Sequence, residues 1–199
     1  MFSNVLGIIA TPGKQWQLIA DHCPESVLRA IIYSIVLAII PAVAWYWGTT
    51  QIGWQVGDGD TIRLTANSAR SIIPLFYFAM VGSIVFIGYM VHWMAQTYGA
   101  DSSIGKGIAI TGFAATPLFL AGAIGFYPIF WVALLLGVAA VCYAVYLLYV
   151  GIPIVMRIPE ERGFLFASAV VGVCMVILMV IMGGSVILWD MGFAPEFTD

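Results

Sequence analysis

Five long segments of this chain are apolar almost throughout and carry hardly any charge in their interiors. The hydrocarbon core of a bilayer is about 30 Å thick and needs about 20 apolar residues per helix. The pattern therefore predicts an all-α membrane protein with five transmembrane helices in a single domain over residues 1–199. The odd number of spans would place the two termini on opposite sides of the membrane. The predicted spans are residues 27–48, 71–95, 108–125, 129–151 and 164–189.

The first 26 residues follow another pattern, in which apolar and polar positions alternate at near-helical spacing. Thr11-Pro12-Gly13 interrupts this periodicity, so we expect an amphipathic interfacial segment of two short helices. Trp16 and Lys14 are the expected interfacial anchors, because tryptophan and basic residues favour the headgroup level.

The longest polar stretch, residues 49–70, contains two short alternating segments at 53–56 and 61–64. Gly57-Asp58-Gly59-Asp60 lies between them, and Asp-Gly favours the positive φ angles of a tight turn. We therefore predict a β-hairpin-like loop between the first and second spans. The same run is similar to part of a calcium loop, but it lacks the later glutamate of that pattern.

Composition narrows the class of protein further. Hydrophobic residues make up 62% of the chain and charged residues 9%, with a net charge of -3 and a mean hydropathy of +1.03. No basic stripe is present that would neutralise phosphates, so we expect no nucleic-acid partner. The spans carry no Asp, Glu, Lys or Arg near their middles, and no catalytic or phosphate-binding motif appears. We therefore expect no enzyme activity, no cofactor and no metal.

The distribution of basic residues predicts the orientation. Two basic residues, Arg63 and Arg70, fall on the side opposite the N-terminus, against five on the N-terminal side. Cytoplasmic loops carry the excess of Lys and Arg. We therefore expect a cytoplasmic N-terminus and a C-terminus that faces the periplasm or a lumen, and the periplasm if the protein is bacterial. The five are Lys14, Arg29, Lys106, Arg157 and Arg162.

Candidate ligand- or partner-binding residues concentrate at the cytoplasmic ends of spans two and four. The tyrosines there could hydrogen-bond neighbouring helices or bind a ligand or lipid. His92 could be an interfacial hydrogen-bonding residue or a proton relay, and the charged residues could form local ion pairs or a docking patch. The candidates are His92, Trp93, Tyr146, Tyr149, Pro153, Arg157, Glu160 and Arg162.

Helix breakers recur within or near the spans, among them Pro41, Pro117 and Gly183-Gly184. Broken helices line sites in many transporters. Proline and glycine are also simply common in membrane helices, so both interpretations stay open.

Several stretches make the chain resemble the bacterial branch of the Yip1 family. The resemblance implies a five-helix fold with a cytoplasmic N-terminus in the bacterial inner membrane. Eukaryotic members are associated with Rab GTPases, but the cytoplasmic N-terminal region here is too short for a large partner-binding domain, so that activity is not carried over. The stretches are Thr11-Pro12-Gly13-Lys14-Gln15-Trp16, 53–65, 115–120, 146–153 and 158–163.

Two functions fit these observations. The first is a non-enzymatic protein that organises the bilayer or binds membrane lipids or partner proteins, as a homo-oligomer or with another membrane protein. The alternative is a small oligomeric transporter or channel with a path lined by the broken helices and tyrosines. A continuous polar cavity lined by His92, Tyr146 and Tyr149 would favour transport, and a dry bundle would favour binding.

Overall fold

The computed structural model describes residues 4–21, 27–55, 59–100 and 102–198, with side chains from residue 7 onwards. Five helical spans are long and apolar enough to cross a membrane, which confirms the predicted fold class. They run over Val27–Ile52, Ala66–Ala95, Ile104–Phe126, Phe130–Met156 and Glu160–Phe193.

Eight α-helices and two short strands build the described part of the chain. π-helical turns extend α3 over Gly48–Ile52 and α8 over Trp189–Phe193, and a 3-10 turn extends α6 over Gly122–Phe126. The elements are α1 Asn4–Ala10, α2 Pro12–Asp21, α3 Val27–Trp47, β1 Arg63–Leu64, α4 Ala66–Ala95, α5 Ile104–Ala114, α6 Thr116–Ala121, α7 Phe130–Met156, α8 Glu160–Leu188 and β2 Phe197–Thr198.

The spans alternate in direction, so the bundle has two distinct ends. We call the end where α3, α5 and α8 begin and α4 and α7 end the base. The opposite end carries the C-terminal tail, and we call it the tail end. The helix α2 also reaches the base, where Asp21 and Arg157 form an ion pair of 3.9 Å.

The third span, α5 with α6, is the centre of the bundle. Two thirds of its apolar window, 67%, is buried, against 17–44% for the other four spans. Glycines allow this close approach: a Cβ on Gly88 of α4 would lie 2.5 Å from the Cα of Ile108. The chain breaks between α5 and α6 just before Pro117, which lacks the N–H that a continuing helix needs.

The two predicted N-terminal helices are present, and they pack lengthwise against α7. The Tyr143 hydroxyl donates to the Ile9 carbonyl at 2.7 Å, and Asp21 reaches Arg157. These contacts span about 21 Å of α7 at 1.5 Å per residue. Trp16 departs from its expected place at the lipid headgroups, because its ring is fully buried in protein. Residues 1–3 and 22–26 of the predicted interfacial segment lie outside the described residues.

The loop between α3 and α4 closes as the alternating pattern predicts, but its second strand has another partner. Trp54 and Ile62 exchange two backbone hydrogen bonds of 3.0 and 2.9 Å, and the predicted turn at Gly57 and Asp58 lies outside the described residues. β1 pairs antiparallel with β2, so that Arg63 faces Thr198 in the C-terminal tail. The tail thus adds a strand that the sequence pattern did not predict.

Candidate functional site

A surface groove of about 900 Å³ lies at the base, between the end of α7 and the start of α8. The chain reverses direction there because Arg157 takes a left-handed conformation with φ of 52° and Pro159 precedes the first turn of α8. Gly163 lets α8 approach α7, since a Cβ there would lie 2.7 Å from the Cβ of Pro153. The groove is lined by Tyr149, Val150, Pro153, Ile154, Ile158, Glu160, Glu161, Phe164 and Leu165.

The walls of the groove are apolar, apart from one tyrosine. The rings of Tyr149 and Phe164 have centroids 5.2 Å apart. The Tyr149 hydroxyl and Ser168 share a hydrogen bond of 2.9 Å, and the Ser168 hydroxyl also donates to the Phe164 carbonyl. The hydroxyl of Tyr149 therefore links α7 to α8, while Tyr149 also lines the groove.

The charges of the groove lie at its rim and are negative. Glu160 and Glu161 are exposed in the first turn of α8. Arg157 leans towards Asp21, while Arg162 reaches the loop after α4, where a Cβ on Gly99 would meet its Nη1 at 3.2 Å. In the described part of the chain, no cation lies within salt-bridge distance of either glutamate.

The structure brings only some of the predicted site residues together. Tyr149, Pro153 and Glu160 line the groove, and Arg157 and Arg162 flank it. The ring of Tyr146 instead lies beside that of Tyr143, tilted by 37° with centroids 5.6 Å apart, and Tyr146 does not line the groove. Glu161, which belongs to the predicted charged patch, also lines the groove. Phe164, Leu165 and Ser168 were not predicted, although their place shortly after Pro159 on a helix facing span four was a usable signal.

The two candidates on α4 lie away from the groove. Trp93 is 63% exposed. The Nδ1 atom of His92 is buried and has no hydrogen-bond partner among the described residues. Lys14, the other predicted anchor, is exposed on α2.

A second, smaller groove of about 200 Å³ lies at the tail end, where α3 ends and α7 begins. Its lining is aromatic and apolar, with only Thr49 carrying a side-chain hydroxyl, and its two indoles come from Trp45 and Trp54. It has no charged lining residue. No three His, Cys, Asp or Glu side chains come together in metal-binding geometry within the described ranges.

A bundle of five apolar spans, with charged and grooved surfaces at its two ends, defines a polytopic α-helical membrane protein. The chain belongs to the Yip1 family, since the Yip1 domain matches residues 6–181. This membership confirms the resemblance found in the sequence.

Relatives with nearly the same length place the chain in the inner membrane. It is 34% identical over 192 residues to inner membrane protein YohC of Escherichia coli (strain K12), covering 96% of this chain and 98% of that protein. The match to YohC of Escherichia coli O6:H1 (strain CFT073) has the same identity and coverage. No solved structure matches the chain. The protein is thus an inner membrane protein of the Yip1 family.

Proposed function

We propose that this protein is a non-enzymatic membrane module that binds lipid in the groove between α7 and α8 and organises the bilayer around it. The observation that carries the proposal is the groove itself. Its wall is apolar and its charges are confined to one rim. A phospholipid has the matching arrangement of groups, with a charged headgroup next to apolar acyl chains.

The positions of the lining residues along α8 support the match between the groove and a phospholipid. Glu160 and Glu161 open α8, and Leu165 follows about 8 Å further along the helix axis at 1.5 Å per residue. Such a step from charged to apolar groups is typical of the boundary between headgroups and acyl chains. With the N-terminus in the cytoplasm, the groove would open to the cytoplasmic leaflet.

The packing of the bundle favours binding over conduction through one copy. Of the three residues that would line a polar path, Tyr149 lines the groove at the base, whereas His92 and Tyr146 line neither this groove nor the smaller one at the tail end. In the central region, the buried hydroxyls of Tyr33 and Thr116 bond each other at 2.7 Å. Hydroxyls paired in this way join helices and are not available to a passing solute.

Paired double variants on α8 test the proposal. The variant Phe164→Ala with Leu165→Ala removes two side chains that line the groove. The control variant, Leu178→Ala with Met179→Ala, removes similarly exposed side chains about four turns further along the same helix. The full-length protein would be released from lipid nanodiscs in the mass spectrometer. Native mass spectrometry would then measure the phospholipid that stays bound to it. We expect the groove variant to lower the occupancy of one bound lipid at least ten-fold, since fully burying one apolar side chain contributes about 1.5–3 kcal/mol and a loss of about 1.4 kcal/mol already corresponds to ten-fold.

The control variant should retain that lipid at the wild-type level. Equal retention by both double variants, or no retained lipid in the wild-type protein, would refute lipid binding in this groove.

A further inference from the structure

We propose that α1 and α2 draw phospholipid headgroups below the surface of the leaflet at the base, where Lys14 binds their phosphate groups. The bilayer beside these two helices is thereby locally indented. No described residue of α1 or α2 lines the groove between α7 and α8, so the indentation does not depend on lipid binding there. The depth at which the two helices place polar side chains carries the proposal.

Three contacts align the N-terminal helices with α7. Backbone hydrogen bonds from the Thr11 N–H to the Gly7 carbonyl and from the Gln15 N–H to the Thr11 carbonyl keep helical spacing where α1 passes into α2. Successive contacts are seven and five residues apart on these helices and eight and six residues apart on α7, so both run nearly parallel towards the base. The contacts join Ile9 to Tyr143, Trp16 to Gly151 and Asp21 to Arg157.

This alignment gives the depth of Lys14 in the bilayer. α7 has 27 residues, and at 1.5 Å per residue it is about 40 Å long. A hydrocarbon core of about 30 Å centred on α7 leaves about 5 Å of the helix outside the core at each end. Asp21 lies level with the base end of α7. Lys14, seven residues earlier, lies about 10 Å deeper than Asp21 and hence about 5 Å inside the core.

The face of α1 and α2 that is turned away from the bundle is largely polar at this depth. Thr11, Lys14 and Gln17 are exposed and lie one helical turn apart, and Leu18 shares their face. The opposite face, which includes Trp16, is buried in the bundle. The neighbouring α7 carries no charged residue over its whole length, so α2 brings a charge to a level where its neighbour is apolar.

Lys14 needs a counter-charge from outside the protein. In the described part of the chain, no carboxylate lies within salt-bridge distance of its ammonium group. A charge in the hydrocarbon core is costly, and the cost falls when the side chain reaches towards the interface and the bilayer thins locally. Phosphate is the anion that every phospholipid of the leaflet carries, so lowered headgroups supply Lys14 with a partner.

Gln15 gives a second indication of a polar environment beside α2. It follows Thr11 by four residues and so borders the polar face of the helix. The Gln15 side chain is buried, and its Nε2 atom has no acceptor among the described residues. Buried donors are normally bonded to protein or to water. Water that accompanies the headgroups would supply an acceptor that acyl chains lack.

Spin labels would measure the indentation in the full-length, otherwise cysteine-free protein. A nitroxide would be attached to Thr11→Cys, about 15 Å deeper than Asp21, or to the control Phe86→Cys, about 14 Å from the base end of α4. Phe86 is 49% exposed. The protein would be placed in vesicles of phosphatidylethanolamine and phosphatidylglycerol in phosphate-free buffer. Collisions with a neutral, water-soluble nickel complex, relative to collisions with oxygen, report the hydration of each label. We expect this ratio to be about ten-fold higher at Thr11→Cys than at Phe86→Cys.

Lys14→Leu, added to Thr11→Cys, should lower the ratio about three-fold, because the headgroups lose their partner, whereas Lys14→Arg should keep it. Equal ratios at the two labels would show that acyl chains cover both positions and would overturn the proposal. A Thr11→Cys label shielded from nickel and oxygen alike would show that protein covers this face, which overturns it as well. A high ratio that Lys14→Leu leaves unchanged would overturn the binding of phosphate by Lys14.

Discussion

At Gly151, the absence of a side chain lets the Trp16 ring lie against the backbone of α7. A Cβ at this position would lie 2.5 Å from the Cε2 atom of Trp16. Trp16 meets Phe113 edge-on at 6.4 Å, and Phe113 lies 4.4 Å from the Tyr33 ring. This series of aromatic contacts joins α2 to the centre of the bundle, and Gly151 provides the space that the Trp16 ring needs.

The substitution Gly151→Ala should destabilise the protein by about 1–3 kcal/mol, because the methyl group overpacks the contact with Trp16. Gly137→Ala in the same helix meets nothing within 4 Å and should stabilise it by about 0.5–1 kcal/mol through helix propensity. Thermal unfolding in detergent would measure both effects. Changes of the same sign and size would show that Gly151 has no packing role.

Residue identity alone did not indicate this role for Trp16. Tryptophan is common at membrane interfaces, so the sequence favoured a headgroup anchor. The ring is buried because Gly151, distant in sequence, leaves space for it. Two of the candidates singled out from the sequence do line the groove: Tyr149, near the end of predicted span four, and Glu160, in the loop that follows it.

The fifth span, α8 with its π-helical turn, is held mainly near its two ends. Phe166, Ala167 and Val170 are buried near its start, and the Phe166 ring stacks on Tyr98 at 4.8 Å. Beyond its far end, the tail pairs β2 with β1. The intervening stretch is largely exposed, so lipid or another protein chain can cover it.

Ser68 joins the tail to the start of α4, because its hydroxyl accepts from the Glu196 N–H at 3.2 Å and donates to the Ala194 carbonyl at 3.4 Å. Ser68→Ala should therefore speed amide hydrogen exchange at Glu196 about five-fold, since a net hydrogen bond contributes about 1 kcal/mol.

Ser71→Ala is the control, because that hydroxyl bonds only the Asn67 carbonyl of its own helix. Hydrogen exchange measured by mass spectrometry on tail peptides would compare the two variants. An unchanged exchange rate in Ser68→Ala would mean that the strand pairing alone holds the tail.

The alternating segment at 61–64 shows what a local pattern of apolar and polar residues can and cannot predict. Its alternation indicated extended structure, and the Trp54–Ile62 bridge bears this out. The partner of Arg63 and Leu64 lies more than 130 residues away in sequence, where no local periodicity points to it.

For the molecule as a whole, the distribution of charge predicts its orientation in the membrane. Arg29, Lys106, Arg157 and Arg162 lie at the base, and Lys14 lies on α2, whose end reaches the base; the tail end carries Arg63 and Arg70. Five basic residues against two favour a base that faces the cytoplasm.

Single-cysteine variants of a chain without Cys23, Cys142 and Cys174 would test this orientation. We expect Thr61→Cys, in the loop at the tail end, to react with a membrane-impermeant maleimide on intact spheroplasts. Thr97→Cys, exposed at the base, should react only after permeabilisation. The reverse labelling pattern would invert the orientation and place the groove in the outer leaflet.

The sequence by itself determined the five spans, their order and, to within five residues, where each span begins and ends. This follows because a bilayer requires apolar length and a backbone that satisfies its own hydrogen bonds, and both are local properties of a helix. Only the tertiary structure decided which helix faces meet, and hence the groove, the burial of Trp16 and the pairing of the tail. Apolar helices in lipid gain little from hydrophobic contrast, so their packing depends on small residues and shape brought together from distant parts of the chain.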